Sequence, residues 1–231
     1  MIPKIKNQMN DEIEVLIKSE ELKEITIDLV EKVLDNEITD EVLKEIPVLK
    51  YLVAFKKIYS SYSDRIFIKK AMNVLLELGA VDWNQREELT RELNDDNGSG
   101  AEKILMAIDK LETIEKCKVF GRLCRLKALR IIELNDFLRL TKVIQDSYLE
   151  DLCLVKDFKK GISIEIYEGD YISLIILGLI FQEPSEPKEI KRNNQQNEDD
   201  PEFIGGKIEF NYLLSDTGQA LLKNYDNLFP S

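Results

Sequence analysis

Residues 63–79 read SDRIFIKKAMNVLLELG, and they decide the fold class. Ser63 offers a hydroxyl oxygen to the open amides of a helix start, and Asp64 suits the positive end that follows. Gly79 suits the stop, where a left-handed residue is favoured. Between them Phe67, Ala71, Val74 and Leu78 share one face, and Ile68, Met72 and Leu75 form a second stripe beside it. Lys69 and Lys70 mark the strip left for solvent. A helix apolar over so much of its circumference needs other helices on several sides. It predicts a multi-helix bundle with this segment at its centre.

The chain on both sides agrees. Upstream, Ser19 is placed to cap a helix over Glu20–Asn36 with Leu22, Ile25, Leu29 and Val33 on one face. A shorter helix over Asp40–Ile46 ends at Pro47, which lacks the amide needed to continue it. Val48, Leu52, Phe55, Tyr59 and Tyr62 then step at helical spacing. Downstream, Asp82 or Asn84 opens a helix to Leu93, and residues 94–100 (NDDNGSG) form a loop by composition. Ser99 caps the next helix, with Ile104, Leu105, Ile108 and Leu111 inward. Helical character returns over Thr113–Ile132, and Asn135 or Asp136 starts a segment carrying Phe137, Leu140, Ile144 and Tyr148. The pattern predicts seven or eight helices over residues 1–157.

After Asp157 the character changes. Ile162–Tyr167 alternates as a strand would, and Asp170–Leu177 reads as a short buried helix closed by Gly178. Leu179–Phe181 and Lys207–Leu214 are strand candidates, Pro184–Gly206 a flexible loop, and Asp216–Tyr225 a final helix capped by Ser215. Residues 158–231 are therefore expected to form a small α+β module. The fold class predicted is mainly α: a multi-helix bundle with a small winged-helix-like α+β C-terminal module.

Composition excludes several functions. In 231 residues there is no histidine, which removes Ser-His-Asp and Cys-His catalysis and histidine-ligated metals. The formal charge of −12 argues against a uniformly basic nucleic-acid binder. Cys117, Cys124 and Cys153 are odd in number and form no CxxC, so reduced thiols are expected rather than disulfides or a zinc site. The longest apolar run, YISLIILGLIF at Tyr171–Phe181, is too short to cross a bilayer that needs about 20 residues. The amino terminus has no apolar signal region. These features predict a cytoplasmic protein with no membrane contact, no cofactor and no metal; oligomerisation is left open.

The motifs that carry chemistry are few. The carboxylate pairs Glu87/Glu88, Asp95/Asp96 and Asp199/Asp200 lack the apolar surroundings that separate pKa values in a catalytic pair. Gly98-Ser99-Gly100 precedes a helix, but Asp95, Asp96 and Glu102 would oppose a phosphate there. The calcium-loop pattern fails because Ile104 stands where a glutamate is needed. One charge feature stands out. Between Lys110 and Lys142, nine basic residues face four acidic ones, a local +5 that leaves −17 for the rest. Lys116, Lys118, Arg122, Arg125, Lys127 and Arg130 are the candidate anion or nucleic-acid face. The competing reading is that they pair with acidic helices of the same chain.

Two resemblances add to this. Pro47-Val48-Leu49-Lys50, Ser63 to Lys70, Glu102-Lys103-Ile104-Leu105, Ile108-Asp109 and Lys116 make the stretch Ile46–Leu152 similar to a family of uncharacterised bacterial helical-bundle proteins. That resemblance implies a helical fold and a bacterial or phage-linked origin, and offers no catalytic residue. Leu177-Gly178-Leu179-Ile180 resembles the end of a winged helix's second or third helix entering the wing, and Tyr212 to Leu222 resembles the strand and closing helix after the wing, over residues 161–225. It implies structural roles for Ser215, as a cap, and Gly218, as a close-packing residue. A DNA-reading winged helix presents a basic recognition helix, whereas Glu168–Leu177 has no Lys or Arg. The expectation is a non-enzymatic interaction or regulatory protein with a protein partner, in a setting such as phage defence; the alternative is a nucleic-acid-binding regulator using the Lys110–Lys142 face.

Overall fold

The computed structural model describes residues 62–96, 98–160, 171–184 and 210–230, with single positions at 15, 17–20, 22 and 24. The helices expected over Glu20–Asn36 and Asp40–Ile46, the segment after Pro47, the Ile162–Tyr167 strand and the Pro184–Gly206 loop fall almost wholly outside these residues. Among the described residues the protein is mainly helical, with one two-stranded antiparallel sheet. The chain divides into two compact units, one of Met1–Leu149 with Asn224–Ser231 and one of Glu150–Lys223.

In the first unit the described helices are α1 (Tyr62–Gly79), α2 (Trp83–Leu93), α3 (Gly100–Lys110), α4 (Ile114–Ala128) and α5 (Leu134–Asp146). α1 already includes Ser63, so that residue lies within the helix rather than before it. Ala71, Met72, Val74, Leu75 and Leu78 are buried, as the two stripes require. Lys70 is not left to solvent: it is half-buried, and its Nζ donates to the Leu111 carbonyl at the end of α3. A cation there offsets the negative helix end. Ser99 Oγ accepts from Glu102 N at 3.2 Å, and Thr113 Oγ1 accepts from Lys116 N at 3.2 Å, so both caps hold amides that have no intrahelical acceptor.

The most extensive helix pair is α1 against α4. Gly121 explains the close approach: an added Cβ would lie 3.0 Å from Glu77 Cβ and 3.1 Å from Val74 Cα. Phe120 of α4 meets Phe137 of α5 at 6.3 Å between ring centroids. Each such buried side chain contributes about 1.5–3 kcal/mol.

α4 stops at Ala128, short of the expected Ile132. Ile131 N donates to Leu126 O and Arg130 N to Lys127 O, each at 2.9 Å, which turns the chain through Arg130 at φ +59°. This is the hydrogen-bonded stop that glycine usually occupies. Tyr148 lies beyond α5 and is exposed, not on its inner face.

The second unit holds a 3-10 helix (Asp151–Lys160), a one-turn helix α6 (Ile172–Ile176), and strands β1 (Ile180–Pro184) and β2 (Phe210–Leu214). The last helix, α7, spans Asp216–Leu228. β1 and β2 pair antiparallel, with Ile180 opposite Leu214 and Phe181 opposite Leu213. Pro184 closes β1 rather than opening a loop. α6 is shorter and wetter than the buried helix expected: only Leu174 among its residues is buried. The same stop recurs with its usual residue. Leu179 N donates to Leu174 O at 2.8 Å, and Gly178 takes φ +68°. Ser215 Oγ donates to Gly178 O at 2.6 Å and accepts from Gly218 N at 3.1 Å, so it does cap α7. A Cβ on Gly218 would sit 3.0 Å from the Leu179 carbonyl carbon and closer still to its oxygen. Gly218 is thus a close-packing residue. Tyr171 donates its hydroxyl to Asp157 Oδ2 at 2.9 Å and meets Phe158 edge-on at 5.6 Å.

Candidate functional site

α4 carries five of the six candidate cations, and it is the helix least able to present them together. Lys116, Cys117, Val119, Phe120, Gly121, Leu123, Cys124, Leu126, Lys127 and Ala128 are all buried. A helix enclosed on this scale has only a narrow strip for solvent.

The cations are held one by one. Arg122 Nε donates to Glu77 Oε1 at 3.1 Å, and its Nη1 donates to the Leu228 carbonyl at 2.9 Å. Arg125 Nη1 donates to the other oxygen of the same carboxylate, Glu77 Oε2, at 2.7 Å. One glutamate of α1 therefore bridges two guanidiniums one turn apart on α4. Lys127 is buried and meets Glu92 Oε2 of α2 at 2.5 Å. Lys116, also buried, donates to the Gln145 carbonyl at 2.9 Å, with Glu112 at 3.5 Å. Arg130 grips both oxygens of Glu88, its Nε standing 3.1 Å from Oε2. The hydrogen bond to Glu88 and that carboxylate's charge hold the Arg130 guanidinium above its ordinary pKa. Lys118 is half-buried, with no ion-pair partner among the described residues.

The local excess of +5 is thus answered by Glu77, Glu88 and Glu92, which all lie outside the Lys110–Lys142 window. A window count along the chain cannot see acids 35 to 48 positions away that packing brings back. The six residues do not converge on one open surface.

Cys153 is an exposed free thiol, and the two buried thiols offer no nucleophile. Burial pushes Cys117 up to about 11, against a smaller opposing pull from Lys70. Burial raises Cys124 further. Both therefore stay protonated near neutrality. Among the described residues no three Cys, Asp or Glu side chains gather as a metal site, and no helix is long and apolar enough to cross a membrane.

What the sequence reading missed is an apolar surface on the second unit. Phe181 and Leu213 stand opposite each other across β1 and β2, so they share a sheet face. They are 43% and 41% exposed. The neighbouring pair, Ile180 and Leu214, faces the other way, and Ile180 is buried. On α6, Ile172 and Ile176 lie four apart on one helix face, 49% and 79% exposed. Ile172, Ile176 and Phe181 belong to the apolar run Tyr171–Phe181, whose composition signals burial and whose structure leaves these members open. Comparison with protein-family models, curated proteins and solved structures finds no match.

Proposed function

We propose that the chain is a non-enzymatic interaction or regulatory protein that acts through protein–protein contacts, with the sheet face of Phe181 and Leu213 as its contact surface. The exposed cross-strand pair carries the reading. Two large apolar side chains held side by side in water gain by being covered, and rimmed apolar patches of this kind mark interaction sites. Glu183 and Asn211 continue the same face in register and supply a polar rim. The overall charge of −12 favours a partner whose own rim is basic. The cations of α4 support the reading from the other side, since most are committed to internal carboxylates. The resemblance to helical-bundle proteins suggests a bacterial or phage setting, and that to a winged helix without a basic recognition helix suggests a module for packing or protein contact.

The test is affinity capture from the source cell at native expression. The wild type is expected to retain a specific protein that Phe181→Asp and Leu213→Asp lose and that Lys142→Glu, on an exposed strip of α5, keeps. Capture of nothing specific, or capture indifferent to Phe181 and Leu213, would defeat the proposal.

A further inference from the structure

Arg86 is the least satisfied group among the described side chains. It lies in the first turns of α2 with 2% of its surface exposed. Its Nη2 donates to the Ser19 carbonyl at 2.5 Å. Its Nε and Nη1 are buried and have no hydrogen-bond partner. A guanidinium carries five donors and no acceptor, so most of this fork is unused. Leaving a buried charge without an anion is among the costliest arrangements in a protein. Burial pushes the guanidinium's pKa down, and the nearby Asp82 charge only partly restores it.

The surroundings complete the picture. Helical side chains lean toward the amino end of their helix, and the Asp82 charge at the start of α2 acts on the Arg86 guanidinium. Asp82 occupies the cap position there, yet its side chain makes no capping bond. The amides of Trp83 and Asn84 have no intrahelical acceptor, and the helix dipole adds a partial positive charge. A buried fork with unused donors thus stands one turn from an uncapped helix start, near enough to Asp82 for that carboxylate to act on its charge. We propose that this end of α2 receives a small oxyanion of the phosphate or carboxylate type, bound by the Arg86 guanidinium and the first-turn amides. The anion takes the donors that now have no partner, and it replaces the Ser19 carbonyl on Nη2 as it enters. Such a site would make the chain responsive to a small anionic effector, separately from the apolar contact surface.

The single tryptophan of the chain is Trp83, in that same turn. The experiment titrates inorganic phosphate, and acetate in a parallel arm, into the full-length protein at ionic strength held constant with sodium chloride, and follows Trp83 emission. A saturable change with phosphate, acetate or both is expected; whichever anion saturates at lower concentration names the type. Arg86→Met should abolish the change. Arg86→Lys, which keeps the charge but not the fork, should weaken it at least about tenfold. Asp82→Asn, which removes an opposing charge, should tighten it several-fold. A linear, non-saturating response to both anions overturns the proposal. So does an equal response in the wild type and Arg86→Lys, which keeps the proposal refutable even where Arg86→Met does not fold.

Discussion

Replacing Glu77 by glutamine probes the pairing at the centre of the bundle. The substitution keeps volume and shape and removes the charge that Arg122 and Arg125 share. Glu77 is 17% exposed, and both arginines are under a third exposed. The pairs therefore lie between a surface bridge, worth about 0–1 kcal/mol, and a fully buried one, whose rupture costs about 3–5 kcal/mol. After the change two guanidiniums one turn apart face each other with no anion between them, so the loss is not divided between two sites. About 2–3 kcal/mol is expected. With a urea slope of about 2 kcal/mol per M, the midpoint falls by about 1–1.5 M. The assay is urea unfolding followed by helical circular dichroism. Glu88→Gln serves as the comparison, because its partner Arg130 is 69% exposed and salt-screened. It should move the midpoint little. A fall for Glu77→Gln of less than about 0.3 M, or one no larger than for Glu88→Gln, would refute the reasoning.

Other outcomes follow from the same structure. Arg130→Gly should hold or raise the urea midpoint while Arg130→Val lowers it, because φ +59° suits glycine and strains a β-branched residue. Gly218→Ala should destabilise the C-terminal unit by about 2–3 kcal/mol, as overpacking against the Leu179 carbonyl requires, and speed hydrogen exchange at the Phe181 and Leu213 amides. Alkaline stability has a definite sign. The folded Cys117 releases its proton at about 11, against an ordinary value of 9.0 that the unfolded chain approaches, so the unfolded state binds fewer protons through that window. Stability then falls as pH rises from about 9 to about 11, by about 1.4 kcal/mol per pH unit per thiol. The double variant Cys117→Ala, Cys124→Ala should show a shallower loss when urea midpoints are compared at pH 8 and pH 10.

How far the sequence could be read depended on the range of the interaction. Ser99 was legible as a cap because a hydroxyl and an amide three residues apart are a local pair, and Thr113, read as the first residue of its helix, caps it by the same pairing. The buried stripes of α1 are likewise a matter of spacing. Gly178 and Gly218 were legible because only glycine fits a left-handed turn or a backbone contact that close. Arg130 hid the end of α4, since it does glycine's work with a side chain that looks helical. That the cations pair with acidic helices of the same chain was one of two readings the sequence allowed; which acids they meet was not legible. Nothing near Arg122 names Glu77, which lies 45 residues away and meets it only through the α1–α4 contact at Gly121. Phe181 was misleading in the opposite sense, since a strongly apolar run favours burial and the sheet face it shares with Leu213 is left open. Arg86 gave no signal, because an arginine among polar residues of an amphipathic helix reads as solvent-facing.

Binding of a fluorescein-labelled DNA or RNA duplex of about 20 base pairs, followed by anisotropy at low salt, tests most directly whether the α4 cations are committed inside the fold. Internal pairing predicts no saturable rise in anisotropy. Tight binding that collapses with added salt and is lost in Lys118→Glu would contradict it.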